Sequence, residues 1–166
     1  TGETIPFDLI EKIQSASKFN QGYDFGEVVT AALLDMKWHS LTTEQALTID
    51  TPEKVDAFER NSLLGIGLEI DLVPPRYRSN YFNHIFSSPA GYSAGYYSYL
   101  WTEMLDKDSR KWFLENGGLT RQNGDHYRAQ VLSRGGTMDY FEMFENFTGR
   151  QPNVEPMLAS RGLLDE

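Results

Sequence analysis

The 166-residue chain has no cysteine, so neither disulfides nor thiolate metal sites are available to it. Basic residues are also scarce, 15 Lys and Arg against 24 Asp and Glu, for a formal charge of −9. Such a surface does not replace the counterions of phosphates, which excludes nucleic acid and anionic membrane as main partners and leaves neutral or basic peptides compatible. No apolar run approaches the roughly 20 residues that a membrane helix needs, and no basic-then-apolar leader opens the chain. Histidine is limited to His39, His84 and His126. Repeats, low-complexity tracts and linker-like shifts of composition are missing as well.

What is present is an apolar fraction of 40% and an aromatic fraction of 13%, which mark a folded chain. The length suffices for one domain with a sizeable core. The apolar residues recur with helical spacing almost throughout. Pro6, with Asp8 behind it, starts a helix whose stripe is Phe7, Ile10 and Ile13. Residues 19–22 interrupt it with turn chemistry. From Tyr23 the pattern resumes as Phe25, Val28, Val29, Ala32, Leu33 and Met36, a helix apolar around much of its circumference that should be buried and end near Trp38 and His39. Residues 41–50 read as a polar connection. Thr51, followed by Pro52, caps a helix through Val55, Phe58 and Leu63 that Gly65 and Gly67 end. Residues 68–75 form an extended piece or loop closed by Pro74 and Pro75. Gly117 and Gly118 stop a later helix that runs through Trp101, Met104, Trp112 and Phe113, and short amphipathic helices are expected over 123–132, 137–148 and 154–160. The expected fold is all-α, with few or no short strands, in a single helical unit over residues 1–166.

Residues 80–101, NYFNHIFSSPAGYSAGYYSYLW, hold the densest aromatic run. Tyr92, Tyr96 and Tyr99 stand at i, i+4 and i+7, which aligns them on one face of a helix, while Tyr97 falls off that face and reads as core. With His84 ahead of the loop, three phenols and an imidazole can converge. Each buried hydroxyl needs a partner, so a core seldom collects so many. The plain alternative is ordinary core or rim packing. For Arg76 and Arg78, an ion pair is favoured over capture of a substrate carboxylate, and His39 and His126 read as structural.

Several stretches resemble the thimet oligopeptidase family of zinc metallopeptidases, in particular its bacterial peptidyl-dipeptidase branch. They include Gly2-Glu3-Thr4-Ile5-Pro6, Phe19-Asn20-Gln21-Gly22, Ala31-Ala32-Leu33-Leu34-Asp35, Arg76-Tyr77-Arg78-Ser79 and Tyr81-Phe82-Asn83-His84-Ile85. Gly91-Tyr92, Ala94-Gly95-Tyr96-Tyr97-Ser98-Tyr99-Leu100-Trp101, Gly117-Gly118-Leu119, Leu132-Ser133-Arg134-Gly135 and Arg161-Gly162-Leu163 continue the match to the end of the chain. The loop from Phe86 to Gly91 departs from the family, where this step is shorter and richer in glycine.

The resemblance implies the C-terminal helical part of a zincin-like oligopeptidase catalytic domain, whose parent removes dipeptides from the C-terminus of short peptides. It implies Tyr99 and His84 as catalytic donors to the oxyanion of the attacked carbonyl, and Tyr92, Tyr96 and Gly91 as substrate-binding. The family zinc sits on a His-Glu-x-x-His helix and a later glutamate that this sequence does not contain. Zinc is therefore expected in the full-length enzyme and none in this chain, which alone is expected to be inactive. Short peptides and the missing N-terminal part of the same chain are the implied partners. A homodimer through the apolar helix over residues 25–36 is a further expectation, and a cytoplasmic location is expected, with the periplasm as the alternative. The competing function is a non-catalytic helical module that binds peptides or a partner helix.

Overall fold

Local signals start and stop most of the helices. In the computed structural model, which describes residues 2 and 4–164, these are α1 (Phe7–Ala16), α2 (Gln21–His39), α3 (Thr43–Leu47), α4 (Pro52–Leu64), α5 (Asn83–Phe86), α6 (Ser98–Glu115), α7 (Arg121–Tyr127), α8 (Tyr140–Thr148) and α9 (Glu155–Arg161). A 3-10 turn at Ser79–Tyr81 precedes α5, and a π-helical turn at Arg128–Leu132 follows α7. Among the described residues there is no strand. The fold is all-α.

Thr51 accepts the Lys54 amide at 3.4 Å with Pro52 inside the first turn, as its sequence foretells. Gly117 and Gly118 end α6 with φ of 90° and 83°, backbone that a side chain disfavours. The connection over residues 41–50 is not wholly irregular, because it holds α3. There Thr42 accepts the Gln45 amide at 3.2 Å, and the Gln45 side chain accepts the Thr42 amide at 2.9 Å. This reciprocal capping box satisfies two amides of a helix only five residues long.

The residues gather into two compact units, one of Thr1–Lys18 with Trp101–Glu166 and one of Phe19–Leu100. In the second unit, Ala31 and Ala32 of α2 pack with Phe82, Ile85 and Tyr96, and Val28, Trp38, Tyr77 and Leu100 close over them. Phe82 is 1% exposed, burial that contributes about 1.5–3 kcal/mol. Glu59 of α4 is buried and accepts from Arg78 Nε at 2.8 Å and from the Ser79 amide at 2.7 Å. Ser79 Oγ in turn accepts the Trp38 indole N–H at 2.8 Å. These bonds fix the chain as it enters residues 80–86. Residues 68–75 are loop and turns.

In the first unit, Trp112 stacks on His126 at 5.4 Å and meets Phe147 at 4.5 Å, and His126 Nε2 lies 2.9 Å from the Phe147 carbonyl. Asp108 is fully buried against Arg150, and Glu103 holds Arg161 through bonds of 2.9 and 2.7 Å. The apolar helix α2, expected to be buried and also offered as a dimer face, has Ala31 and Leu34 at 0% exposure, with Met36 at 42%; α1 carries an exposed apolar stripe of Phe7, Ile10 and Ile13.

Candidate functional site

The segment with Tyr92, Tyr96 and Tyr99 is not the continuous helix that their spacing predicts. Residues 92–97 are a succession of turns, and α6 begins only at Ser98. Ala94 takes φ of 55°, a left-handed value rare for a residue with a Cβ. The Tyr92 carbonyl accepts the Gly95 amide at 2.8 Å, which tightens the bend. Periodicity could not reveal this, since the cause lies elsewhere in the chain: the carboxylate of Asp35 accepts the Ala94 and Tyr96 amides, each at 2.9 Å.

The turn reassigns the tyrosines. Tyr96 is 4% exposed and belongs to the core, whereas Tyr97, expected in the core, is 51% exposed. The Tyr96 hydroxyl bonds with the Arg76 side chain; burial, then Tyr77, pushes its pKa above the ordinary phenol value, against the pull of Arg76. Arg78, bound to Glu59, is a structural ion pair. Tyr92 and Tyr99, 40% and 45% exposed, stack face to face with centroids 5.7 Å apart and planes 12° apart. Tyr99 also meets the edge of Tyr96 at 5.1 Å.

His84 joins this cluster from α5. Its ring is half-buried, 4.7 Å from Tyr77, 5.8 Å from Tyr96 and 6.1 Å from Tyr92. The longer loop does not separate His84 from Tyr92, because its ends close on each other: the Tyr92 amide donates to the His84 carbonyl at 3.2 Å, and Ser93 Oγ donates to the Ile85 carbonyl at 2.9 Å. Gly91 is needed for close approach and not for an unusual angle, since a Cβ there would meet the Ser88 and His84 carbonyls at 3.1 and 3.3 Å. Among the described residues, the buried Nδ1 of His84 has no hydrogen-bond partner. A buried polar nitrogen left unpaired costs about 1–3 kcal/mol, so the ring is held at that expense by the packing around it.

The Tyr99 phenol is raised above its ordinary value of 10.0, first by its hydrogen bond with Tyr92 and then by desolvation. A bond that favours the neutral form keeps Tyr99 a proton donor throughout the neutral range. Tyr92→Phe removes the first cause, so the Tyr99 pKa is expected to fall toward 10.0. Titration of the tyrosine ring carbons by NMR, with Tyr99→Phe to assign the signal, checks this; an unmoved Tyr99 resonance would refute it.

Sequence reasoning missed Asp35, Glu59 and the role of Arg76. For Asp35 there was a signal: a carboxylate closing the apolar run Ala31-Ala32-Leu33-Leu34, four residues before His39. His39 Nδ1 sits 2.7 Å from Asp35 Oδ1, so this histidine is structural.

On this all-α frame the Tyr92 and Tyr99 pair stands partly exposed beside the half-buried His84 ring. The chain belongs to peptidase family M3, which its sequence matches over residues 1–163. It is 47% identical over 163 residues to the dipeptidyl carboxypeptidase of Salmonella typhimurium and 45% identical to that of Escherichia coli, covering 98% of this chain and 23% of each relative. Oligopeptidase A of Salmonella typhimurium is 30% identical over 168 residues, with the same coverage of 98% and 23%. The chain thus spans under a quarter of the length of these curated relatives. Among the described residues no helix is long and apolar enough to cross a membrane.

Proposed function

We propose that this chain forms one wall of the substrate cleft of a zinc peptidase that releases dipeptides from the C-terminus of short peptides. The observation that carries the reading is the stacked Tyr92 and Tyr99 pair beside His84. Attack of water on a peptide carbonyl gathers negative charge on its oxygen, and catalysis requires donors aimed at that charge as it develops. The Tyr99 hydroxyl is such a donor. Its hydrogen rotates about the C–O bond, so the proton shared with Tyr92 can turn toward the oxyanion. His84 hydrogen-bonds the peptide near the scissile bond, Tyr92 positions the peptide, and Gly91 lets the backbone come close to it. Tyr96, buried beneath, supports Tyr99 and His84 by ring contact.

Among the described residues no group of three or more His, Asp or Glu can hold a metal. The described residues do not fit a zinc site by themselves, and in this reading the metal belongs to residues outside this chain.

The test compares residues 1–166 alone with the same residues joined to the protein sequence that precedes them. For the chain alone, the expectation is no bound zinc by elemental mass spectrometry and no cleavage of a blocked tetrapeptide followed by chromatography. The longer protein is expected to bind zinc and release the C-terminal dipeptide. Stoichiometric zinc or cleavage in the chain alone would overturn the reading, as would a preceding sequence without His-Glu-x-x-His, which favours a non-catalytic module.

A further inference from the structure

We infer that Asp35 is a positioning residue for the Tyr92 and Tyr99 pair, a role that rests on the assignment of these tyrosines to the substrate side. Asp35 lies on α2 and is 0% exposed. A carboxylate at such depth needs its oxygens bonded. Oδ1 accepts the Ala94 amide at 2.9 Å and sits 2.7 Å from His39 Nδ1, and Oδ2 accepts the Tyr96 amide at 2.9 Å. Both amides belong to the segment between the two stacked tyrosines. Two amides two residues apart, converging on a single anion around a left-handed residue, make a backbone nest. Here the anion is the chain's own.

The geometry shows what the nest accomplishes. In a continuous α-helix, residues seven apart are separated by roughly 10 Å along the axis. The Tyr92 and Tyr99 rings are instead 5.7 Å apart and nearly parallel. The left-handed step at Ala94 folds Tyr92 back over Tyr99, and Asp35 is the group that holds that step. Asparagine at this place keeps one acceptor and turns the other into a donor facing an N–H, so one of the two bonds is lost. Because Ala94 disfavours the left-handed region and glycine does not, a glycine there makes the fold-back less dependent on the carboxylate.

The experiment uses the longer, zinc-loaded peptidase. Asp35→Asn is expected to lower kcat about 100-fold, the scale on which small misplacements of reacting groups act. The KM for a blocked tetrapeptide should change less than about threefold, because the loss falls on the transition state. Adding Ala94→Gly to Asp35→Asn should restore much of the lost kcat. Unchanged kcat in Asp35→Asn, or a loss that matches its unfolded fraction in a thermal melt, overturns the inference. If Asp35→Asn does not fold, Ala94→Val decides, since a β-branched residue resists the left-handed turn with Asp35 intact. Lower kcat at constant KM supports the role, and wild-type kcat overturns it. If the longer protein proves to have no peptidase activity, the proposed function fails, and tyrosine ring resonances still judge Asp35. Those of Tyr92 and Tyr99, assigned through Tyr92→Phe and Tyr99→Phe, should shift together in Asp35→Asn or, where that variant does not fold, in Ala94→Val; resonances that stay in place end the inference.

Discussion

Tyr99→Phe is expected to lower kcat of the longer peptidase about 10²- to 10³-fold, the effect of deleting one oxyanion donor, with the KM for a blocked tetrapeptide nearly unchanged. The substitution removes a hydroxyl and leaves the ring, so the stacking on Tyr92 at 5.7 Å and the edge contact with Tyr96 at 5.1 Å persist. Tyr99 is 45% exposed, which leaves its hydroxyl no deep burial to support, and the melting temperature should stay within a degree or two. That separation of turnover from stability gives the prediction its force. A structural tyrosine would lose stability and keep kcat in the surviving folded fraction. Tyr92→Phe should cost less, because Tyr92 positions the peptide and tunes Tyr99 without itself meeting the oxyanion. Steady-state kinetics on the purified variants check this, and a Tyr99→Phe enzyme within about threefold of wild-type kcat would remove Tyr99 from the chemistry.

Much of the fold was legible because helix boundaries are written in a few adjacent residues. Thr51 and Pro52 start α4, and Gly117 and Gly118 stop α6, by interactions that reach no further than a turn. Even the overlooked α3 was announced by the Thr42 and Gln45 box. The site was legible only as a list. The residues allowed His84 to converge with Tyr92, Tyr96 and Tyr99, and the family resemblance singled out Tyr92, Tyr99 and His84, but neither gave their arrangement. A period of 3.6 assumes a straight helix, and the helix is undone between Tyr92 and Ser98 by a carboxylate 59 residues upstream of Ala94. The same bend puts Tyr96 inside and Tyr97 outside, the reverse of the pattern's reading. A tertiary hydrogen bond overrode local periodicity, and only the acidic end of an apolar run hinted at its source.

Asp108→Ala should destabilise the unit that contains it by about 2–3 kcal/mol. Removing one partner of a buried ion pair costs about 3–5 kcal/mol, and the Arg150 side chain, 36% exposed, keeps some water and reduces that figure. Asp108 itself is 0% exposed on α6. Its carboxylate takes both arms of the Arg150 fork, Nη1 at 2.7 Å, and the Asn153 amide at 2.8 Å. One side chain thus ties α6 to the connection between α8 and α9, whose residues have little apolar surface of their own to hold them. Truncation leaves a guanidinium and a backbone amide without their acceptor. Replacing both partners, Asp108→Leu with Arg150→Met, should recover most of the loss, because the cost lies in the stranded charge more than in the missing pair. Urea unfolding followed by tryptophan fluorescence reads the effect. In a Trp38→Phe background the signal comes from Trp101 and Trp112, which both lie in this unit, the latter packed against Phe147 at 4.5 Å. An Asp108→Ala midpoint equal to that of the background protein would show that the pair does not hold the unit together. A double variant no better than Asp108→Ala would place the loss in the Asn153 amide and not in Arg150.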